Sequence, residues 1–257
     1  PWLGEWNRRH GDGRWRSDFG TSTLDPSRRL TLITELLARG ADPNARITIT
    51  AAMDMSDIGY PRKGAFETVA RGTGNLRGAT PLWVAANTSS GHRGAADQVE
   101  TVVEILRALL AAGADQHLTT DDGTTPLMAA AGLGHKSYSP RAPRGRRSVT
   151  AEAAVKTLLE AGADVNAANE ADFTALHGAG FRGLNEVIVT LVEHGADIDA
   201  RDFRGRTPYR VAEGAKQGFN FQGWPETAEL LKTLGANPRL GIPGTVHERL
   251  RDVAATR

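Results

Sequence analysis

A tripeptide of Gly-Ala-Asp or Gly-Ala-Asn closes an apolar segment five times in this chain, and this internal repetition constrains the fold more than any other feature. In the preceding segments the apolar residues recur at three- and four-residue spacing, which is typical of one face of an amphipathic helix. Glycine tolerates the left-handed backbone conformation that ends many helices, so each tripeptide is a helix C-terminal signal. The signals begin at Gly40, Gly113, Gly162, Gly195 and Gly235.

A second landmark lies between these glycines. It is a Thr followed by Pro or Ala and then by Leu or Tyr, and it begins at Thr80, Thr125, Thr174 and Thr207. A Thr hydroxyl caps free backbone N–H groups at a helix start, and Pro at the first helical position sacrifices no bonded N–H. Each unit is therefore predicted to contain a turn, a short helix, a connection, a second helix and a terminal Gly.

The segment DFTALHGAGFRGLNEVIVTLVEHGADIDA, which begins at Asp172 and follows GADVNAANEA, combines both landmarks. It resembles the ankyrin repeat, whose pattern is approximately D-x-x-G-x-T-P-L-H-x-A-A, a second helix and G-A-D-V-N-A. The resemblance implies an all-α solenoid of about four to five helix-turn-helix repeats with short hairpin-like turns, over most of residues 25–238. The long insertions further resemble those of exported bacterial members, which implies a periplasmic or extracellular location.

The distances between landmarks locate the extra chain. Thr174 and Thr207 are 33 residues apart, which is the ankyrin period, whereas Thr80 to Thr125 spans 45 residues and Thr125 to Thr174 spans 49. The three later turns, from each Gly to the next Thr, have 12 residues each, so the excess does not lie in them. We expect insertions between the two helices of the second, third and fifth repeats.

The first turn is the exception, because Gly40 to Thr80 spans 40 residues. Ile and Thr alternate in residues 47–50, which predicts a short strand. Residues 59–64 are predicted to form a turn, and residues 65–69 a return strand. Turns of this length are usually functional or disordered. Two interpretations stay open: a lid that packs on the solenoid, or a recognition finger that carries Met53, Met55, Tyr60 and Phe66.

The insertion of the third repeat carries a local basic charge and no acidic residue. It could dock on an acidic protein, a phosphate-bearing polymer or an anionic headgroup, or it could be a solvated loop. Its cationic residues are Lys136, Arg141, Arg144, Arg146 and Arg147.

Four segments follow from these landmarks. Residues 1–39 are predicted to form a partial N-terminal repeat with a Trp-rich insertion, and residues 40–79 the extended first turn. Residues 80–238 hold four repeats, three of them with inter-helix insertions. Residues 239–257 form a tail with a short helix, since Thr245 begins a capping-box pattern. Because the chain begins at Pro1 with no signal segment, we expect a processed or truncated protein.

Composition excludes several classes of function. With 31 basic and 30 acidic side chains the net charge is +1, so the whole molecule has no electrostatic reason to bind nucleic acid or an anionic membrane. Cysteine is absent, which removes disulfides, thiolate catalysis and Cys-based zinc sites. No apolar run is long enough for a transmembrane segment.

The search for catalytic and cofactor motifs finds none. The seven His residues are widely separated and form no metal-ligand pair, and His177 is predicted to hydrogen-bond between repeats. The Gly132 to Ser137 segment fails as a phosphate loop, because His135 stands where the Lys is needed. We therefore expect no enzyme activity, no metal and no cofactor.

What remains is a contact surface. The turns and the first helices of stacked repeats line an extended concave face. Candidate partner contacts there, each set against a role in turn formation or packing, are Trp83, Met128, Phe173, Phe203, Arg204 and Arg206. The leading hypothesis is a non-catalytic scaffold that binds a protein partner through this face and the inserted loops. The alternative is a structural protein that associates with itself into head-to-tail oligomers or filaments.

Overall fold

The computed structural model describes residues 26–48, 77–89, 96–133, 147–217 and 220–241. Within these residues the chain forms nine helices and one small β-hairpin. The helices are α1 (Pro26–Ala38), α2 (Pro81–Ser89), α3 (Ala96–Ala111), α4 (Pro126–Ala130), α5 (Val149–Glu160), α6 (Ala175–Arg182), α7 (Asn185–Glu193), α8 (Pro208–Gly214) and α9 (Pro225–Thr233). The hairpin joins β1 (Ala215–Gln217) to β2 (Asn220–Gln222).

The helices stack in two layers. Helices α2, α4, α6 and α8 pack on one another in chain order, and α1, α3, α5, α7 and α9 form the second layer in the same way. Within each later repeat the first helix also packs on the second. This arrangement confirms the predicted all-α solenoid of helix-turn-helix repeats.

One core runs through the stack from α2 to α9. Both layers contribute side chains to it, and Leu82 of the first layer and Leu106, Leu158, Ile188 and Leu231 of the second are fully buried within it. Complete burial of a Leu or Ile side chain contributes roughly 1.5–3 kcal/mol. Each repeat therefore draws most of its stability from the neighbours on which it stacks.

Both landmarks act at the ends of helices. The Thr hydroxyls of Thr80 and Thr125 accept hydrogen bonds of 3.2 Å from the backbone N–H groups three residues later. At the other end, Gly195 has φ of 85°, and the next residue donates its N–H to the Leu191 carbonyl. The predicted helix starts and Gly caps are confirmed at these positions.

Helix α6 lies close to both of its neighbours because it contains two glycines. A Cβ at Gly178 would lie 2.9 Å from the backbone N of Leu133, and a Cβ at Gly180 would lie 3.0 Å from the carbonyl oxygen of Pro208. Real Cβ atoms do not approach backbone so closely. The small residues therefore set the spacing of the third, fourth and fifth repeats.

Connections between the paired helices differ in length. The fourth repeat has only two residues between α6 and α7, whereas the fifth contains the antiparallel hairpin, in which Ala215 pairs with Gln222. After the hairpin, Trp224 donates its backbone N–H to Ala212 and its indole Nε1–H to the Phe181 carbonyl, at 2.7 and 2.8 Å. Trp224 thus returns the chain to the stack.

The neck of the long first turn is closed by backbone hydrogen bonds. The Ile47 N–H donates to Ala79, and the Gly78 N–H donates to Ile47, at 3.0 and 2.8 Å. Ile47, the first residue of the predicted strand, therefore pairs with the chain just before Thr80, but residues 47 and 48 form no strand, and residues 49 and 50 lie outside the described residues. The return strand at 65–69, the Trp residues before Pro26 and the tail helix at Thr245 lie outside the described residues.

Candidate functional site

Successive turns are built on one plan. In the third, fourth and fifth repeats the backbone N–H of Thr120, Asn169 or Asp202 donates to the carbonyl four residues later, at 2.9–3.1 Å. The fourth residue of these turns has positive φ: it is Gly123 and Gly205 in two of them and Asp172, with φ of 58°, in the other. Asp adopts this conformation more readily than most residues. The three tips consequently share one shape.

Backbone hydrogen bonds also join each turn to the next. The Asp121 N–H donates to Arg77, the Glu170 N–H to Asp122, and the Phe203 N–H to Ala171, at 2.9, 2.9 and 3.0 Å. The tips therefore lie in a fixed row along the stack. We call this row the turn ridge, and its outward side chains are Arg77, Asp121, Glu170, Phe203 and Arg204.

Phe203 and Arg204 form the aromatic end of the turn ridge. The Phe203 ring is half-buried and meets the ring of Phe173 edge-on, with 6.4 Å between centroids. The guanidinium carbon of Arg204 lies 5.2 Å from the Phe203 centroid, which is within cation–π range. These contacts fix the two side chains while part of each stays at the surface.

Arg206 holds the same turn together. Its Nε donates to Oδ2 of Asp202 at 2.8 Å, and its backbone N–H donates to Oδ1 of the same residue at 2.8 Å. The Asp202 side chain is fully buried. Arg206 therefore neutralises a buried carboxylate, and this structural role engages part of a side chain that the sequence analysis assigned to partner contact.

Three of the candidate contact residues are buried. Trp83 and Met128 are each 1% exposed and Phe173 is 3% exposed. This burial corrects the contact role assigned to them, because a partner cannot reach their side chains. All three are large apolar side chains at helix starts or turn ends, where neighbouring repeats cover them.

Trp83 joins two repeats. Its indole Nε1–H donates to the Thr124 carbonyl of the next turn at 3.1 Å. His177 occupies the equivalent position in the fourth repeat, and its Nε2 lies 3.1 Å from the Arg206 carbonyl. The predicted inter-repeat hydrogen bond of His177 is confirmed. The matching bond of Trp83 was missed, although an indole N–H at this position was a signal for it.

A second set of side chains bridges the repeats beside the Gly caps. The amide of Asn166 donates to the Gly195 carbonyl at 3.0 Å and accepts from the Asp197 N–H at 2.7 Å. Asn44 bridges in the same way to Gly113 and Asp115, at 2.9 and 2.7 Å. The repeat pattern alone does not reveal this bridging role of the two Asn residues.

Comparison with known proteins identifies these repeats. A family model described as Ankyrin repeats (3 copies) matches residues 92–202. Residues 92–202 of the chain are ankyrin repeats. The turns and paired helices described above within this range are thus those of ankyrin repeats that stack on one another.

Named relatives match part of the ankyrin array. Ankyrin repeat and SOCS box protein 16 of Homo sapiens is 36% identical over 116 residues, which are 45% of this chain and 22% of that protein. Ankyrin repeat-containing protein P1E11.10 of Schizosaccharomyces pombe is 42% identical over 55 residues, 21% of this chain and 27% of that protein. The chain thus matches about a quarter of each relative's length. Both relatives are eukaryotic, and the bacterial, exported origin stays a prediction.

The basic insertion of the third ankyrin repeat ends on the solenoid itself. Arg147 forms hydrogen bonds of 3.0 Å with both carboxylate oxygens of Glu152, and its Nε lies 3.8 Å from Glu186 on the next repeat. Arg147 thus pairs with carboxylates of its own chain. Arg144 and Arg146 lie outside the described residues, as do Tyr60 and Phe66 of the long first turn.

The first helices of the two middle ankyrin repeats present no accessible side chain. Each residue of α4 and α6 is buried. On α2, by contrast, Val84 is 38% exposed. The side chains of these two helices are therefore not available for surface contacts.

The described part of the chain contains no group of three or more potential metal-ligating side chains. Among the same residues, no helix combines the length and the apolar character needed to cross a membrane.

Proposed function

We propose that this ankyrin repeat protein is a non-catalytic interaction module that binds a protein partner through the turn ridge. Ankyrin repeats are in general protein–protein interaction modules and are typically not enzymes. One observation carries the proposal: backbone hydrogen bonds join the turns from Arg77 to Phe203, so the backbone that carries the ridge side chains is held in a fixed row. A fixed surface loses little entropy on binding, which favours affinity.

The Phe203 end of the ridge is the proposed centre of contact. Aromatic and Arg side chains dominate the energetics of protein interfaces, and Phe203 and Arg204 stand side by side in one rigid turn. Arg206 supports this turn through Asp202. Tyr60, Phe66, Arg144 and Arg146, which the sequence places in the two insertions next to the solenoid, are proposed as additional contacts.

A photocrosslinking experiment tests this proposal. Phe203 is replaced by a photoreactive phenylalanine analogue, and Glu229 on the exposed side of α9 is replaced in a control variant. After irradiation in an extract of the native source, we expect a discrete crosslinked protein with the probe at position 203. Equal products from both variants, or products from position 229 alone, would contradict the proposed surface.

Association between copies of the chain is a second candidate function, and α1 favours it. None of the residues 28–38 in α1 is buried, and Leu36 is 39% exposed. At the other end of the stack, α9 exposes the ion pair of Glu229 and Lys232, which is no counterpart for an apolar helix. Because Leu36 is the only large exposed apolar side chain among residues 28–38 of α1, self-association through it would pair α1 with α1 in a closed dimer rather than build a filament.

Sedimentation velocity at several protein concentrations tests the second candidate. If α1 forms the interface, the wild-type chain sediments as a dimer, and Leu36→Lys shifts it to a monomer without loss of helical circular dichroism. A wild-type monomer at all concentrations would exclude this function and leave the turn ridge unaffected.

A further inference from the structure

The junction between the fourth and fifth repeats contains a buried histidine with both ring nitrogens engaged. Nδ1 of His177 lies 3.2 Å from the backbone N of Thr174 and 3.0 Å from its hydroxyl oxygen. Because the Thr174 N–H can only donate, Nδ1 must be the acceptor. Nε2 then carries the proton and donates to the Arg206 carbonyl at 3.1 Å. The geometry requires one neutral tautomer.

Protonation is incompatible with this arrangement. A proton on Nδ1 would face the Thr174 N–H and leave that buried donor without its acceptor. It would also place a positive charge on a ring that is 0% exposed and packed edge-on against Phe173, with 5.5 Å between centroids. The ring can take up a proton favourably only when the junction opens.

The charged groups that face His177 lie in the turn of residues 202–206 and in the loop that follows the Gly195 cap. Asp202, Asp197 and the Arg206 carbonyl favour the imidazolium, and the Arg206 guanidinium opposes it. Burial outweighs them and lowers the pKa of His177 below its ordinary value of 6.5. Two of these groups are already paired, since Arg206 donates to Asp202 at 2.8 Å. The carboxylate that favours the imidazolium most is therefore partly neutralised.

We propose that His177 makes the junction between the fourth and fifth repeats acid-sensitive, so that a fall in pH opens the turn of residues 202–206. The opening is a property of the stack and does not depend on the proposed function. Its consequence rests on that function: this turn carries Phe203 and Arg204, so partner binding at the ridge weakens in acid.

The direction in which pH changes the stability of the junction follows from proton linkage. The unfolded or opened junction binds a proton at the ordinary histidine pKa, whereas the closed junction binds it only at lower pH. Stability from His177 is therefore complete above about pH 6.5 and is lost as the pH falls below that value. For one proton, the opening equilibrium rises up to about tenfold per pH unit in this window.

Amide hydrogen exchange measures this opening, and the chain supplies an internal control. The Arg206 N–H is bonded to Asp202, and the Thr124 N–H is bonded to Asp122 in the equivalent turn, at 2.8 and 3.2 Å. That turn is joined to its neighbour by Trp83, which does not titrate. After correction for intrinsic rates, we expect protection of Arg206 to fall relative to Thr124 between pH 7 and pH 5. A constant ratio would overturn the proposal.

Two variants separate His177 from other titrating groups. His177→Gln keeps polar atoms at the site but cannot titrate, so the pH dependence of the Arg206 to Thr124 ratio should disappear. His194→Gln removes an exposed histidine of the same repeat, whose Nδ1 lies 2.7 Å from the Thr190 carbonyl. This variant should keep the pH dependence of the ratio. If His177→Gln does not fold, the pH dependence of the protection ratio in the wild type and in His194→Gln still tests the proposal. Retained pH dependence in folded His177→Gln, or its loss in His194→Gln, would overturn the proposal.

Binding is measured separately. If the turn opens in acid but the partner identified by crosslinking binds with equal affinity at pH 7 and pH 5.5, the junction inference stands and the ridge proposal fails. If the turn stays closed and partner affinity is unchanged, only the junction inference fails.

Discussion

The indole Nε1 of Trp83 lies 3.1 Å from the carbonyl oxygen of Thr124, and this hydrogen bond links the second repeat to the third. Beside the Gly caps of the same two repeats, the Gln116 side chain donates to the Ala161 carbonyl at 2.5 Å. Side-chain bonds to the backbone thus span this junction both at the helix starts and beside the Gly caps.

The next two junctions distribute such bonds differently. Between the third and fourth repeats, the Met128 side chain has no N–H donor, and Asn166 forms both bonds beside the Gly caps. Between the fourth and fifth, His177 forms one bond and Asp199 accepts the other from the Asn237 N–H at 2.9 Å. These bonds fix the registration of neighbouring repeats at every junction from the second repeat to the fifth.

Replacing Trp83 by Phe should weaken the junction it spans. The variant keeps an aromatic ring but leaves the buried Thr124 carbonyl without the indole donor, and we expect a loss of about 1–2 kcal/mol in the free energy of unfolding. Urea unfolding followed by circular dichroism measures it. Met128→Leu, at the equivalent position without such a bond, is the control and should cost less than about 1.5 kcal/mol. Equal costs for both would contradict the role of the Trp83 bond.

His117→Asn should stabilise the chain. His117 stands two residues after Asp115, where Asn44 and Asn166 stand in their own repeats and bridge to the next one. An Asn there would reach Gly162 and Asp164, and we expect a gain of about 1 kcal/mol, seen as a higher thermal midpoint. His194→Asn, an exposed substitution outside this position, should leave the midpoint unchanged. A lower midpoint for His117→Asn would count against the bridging rule.

Two Gly-to-Ala substitutions separate backbone strain from close packing. Gly195 and Gly183 both have positive φ, 85° and 69°, but a Cβ at Gly195 meets nothing within 4 Å. At Gly183 it would lie 2.8 Å from Cδ2 of Trp224. We expect Gly195→Ala to cost about 1 kcal/mol from strain alone. Gly183→Ala should lower the free energy of unfolding by at least about 1 kcal/mol more than Gly195→Ala does, because the Trp224 ring must move. Chemical denaturation that shows equal costs would refute this difference.

The long first turn should be dispensable for folding. The backbone pair of Ile47 with Gly78 and Ala79 brings the two ends of the insertion together. Deleting residues 49–76 and joining the ends with a short Gly-Ser link should therefore leave the helical circular dichroism of the remaining repeats unchanged. A loss of helical signal after the deletion would show that the insertion completes the core.

The sequence predicts where helices begin and end because Thr caps and Gly caps act within a few residues of chain. Exposure is not local in this way. Trp83, Met128 and Phe173 were assigned to a contact surface because they stand at landmark positions, yet the next repeat covers them. Whether a side chain faces solvent depends on packing between repeats, which a single repeat pattern does not specify.

The junction bonds show a second limit of pattern reasoning. Trp83 and His177 share no chemistry except a ring N–H, and their equivalence becomes visible only when both reach the carbonyl of the following turn. Arg147 shows the same limit for charge, because the pattern of basic residues does not reveal that Glu152 and Glu186 lie beside it. Distances across repeats decide both roles.

The most direct test of the turn ridge as the binding surface uses the partner identified by photocrosslinking. Its affinity is measured for the Phe203→Ala/Arg204→Ala variant. We expect the double variant to keep its thermal midpoint within a few degrees and to bind at least about tenfold more weakly than the wild type, as for a central aromatic and Arg pair. The Glu229→Ala/Lys232→Ala variant on α9 should bind as the wild type does. Unchanged affinity of the Phe203→Ala/Arg204→Ala variant would contradict the turn ridge as the binding surface.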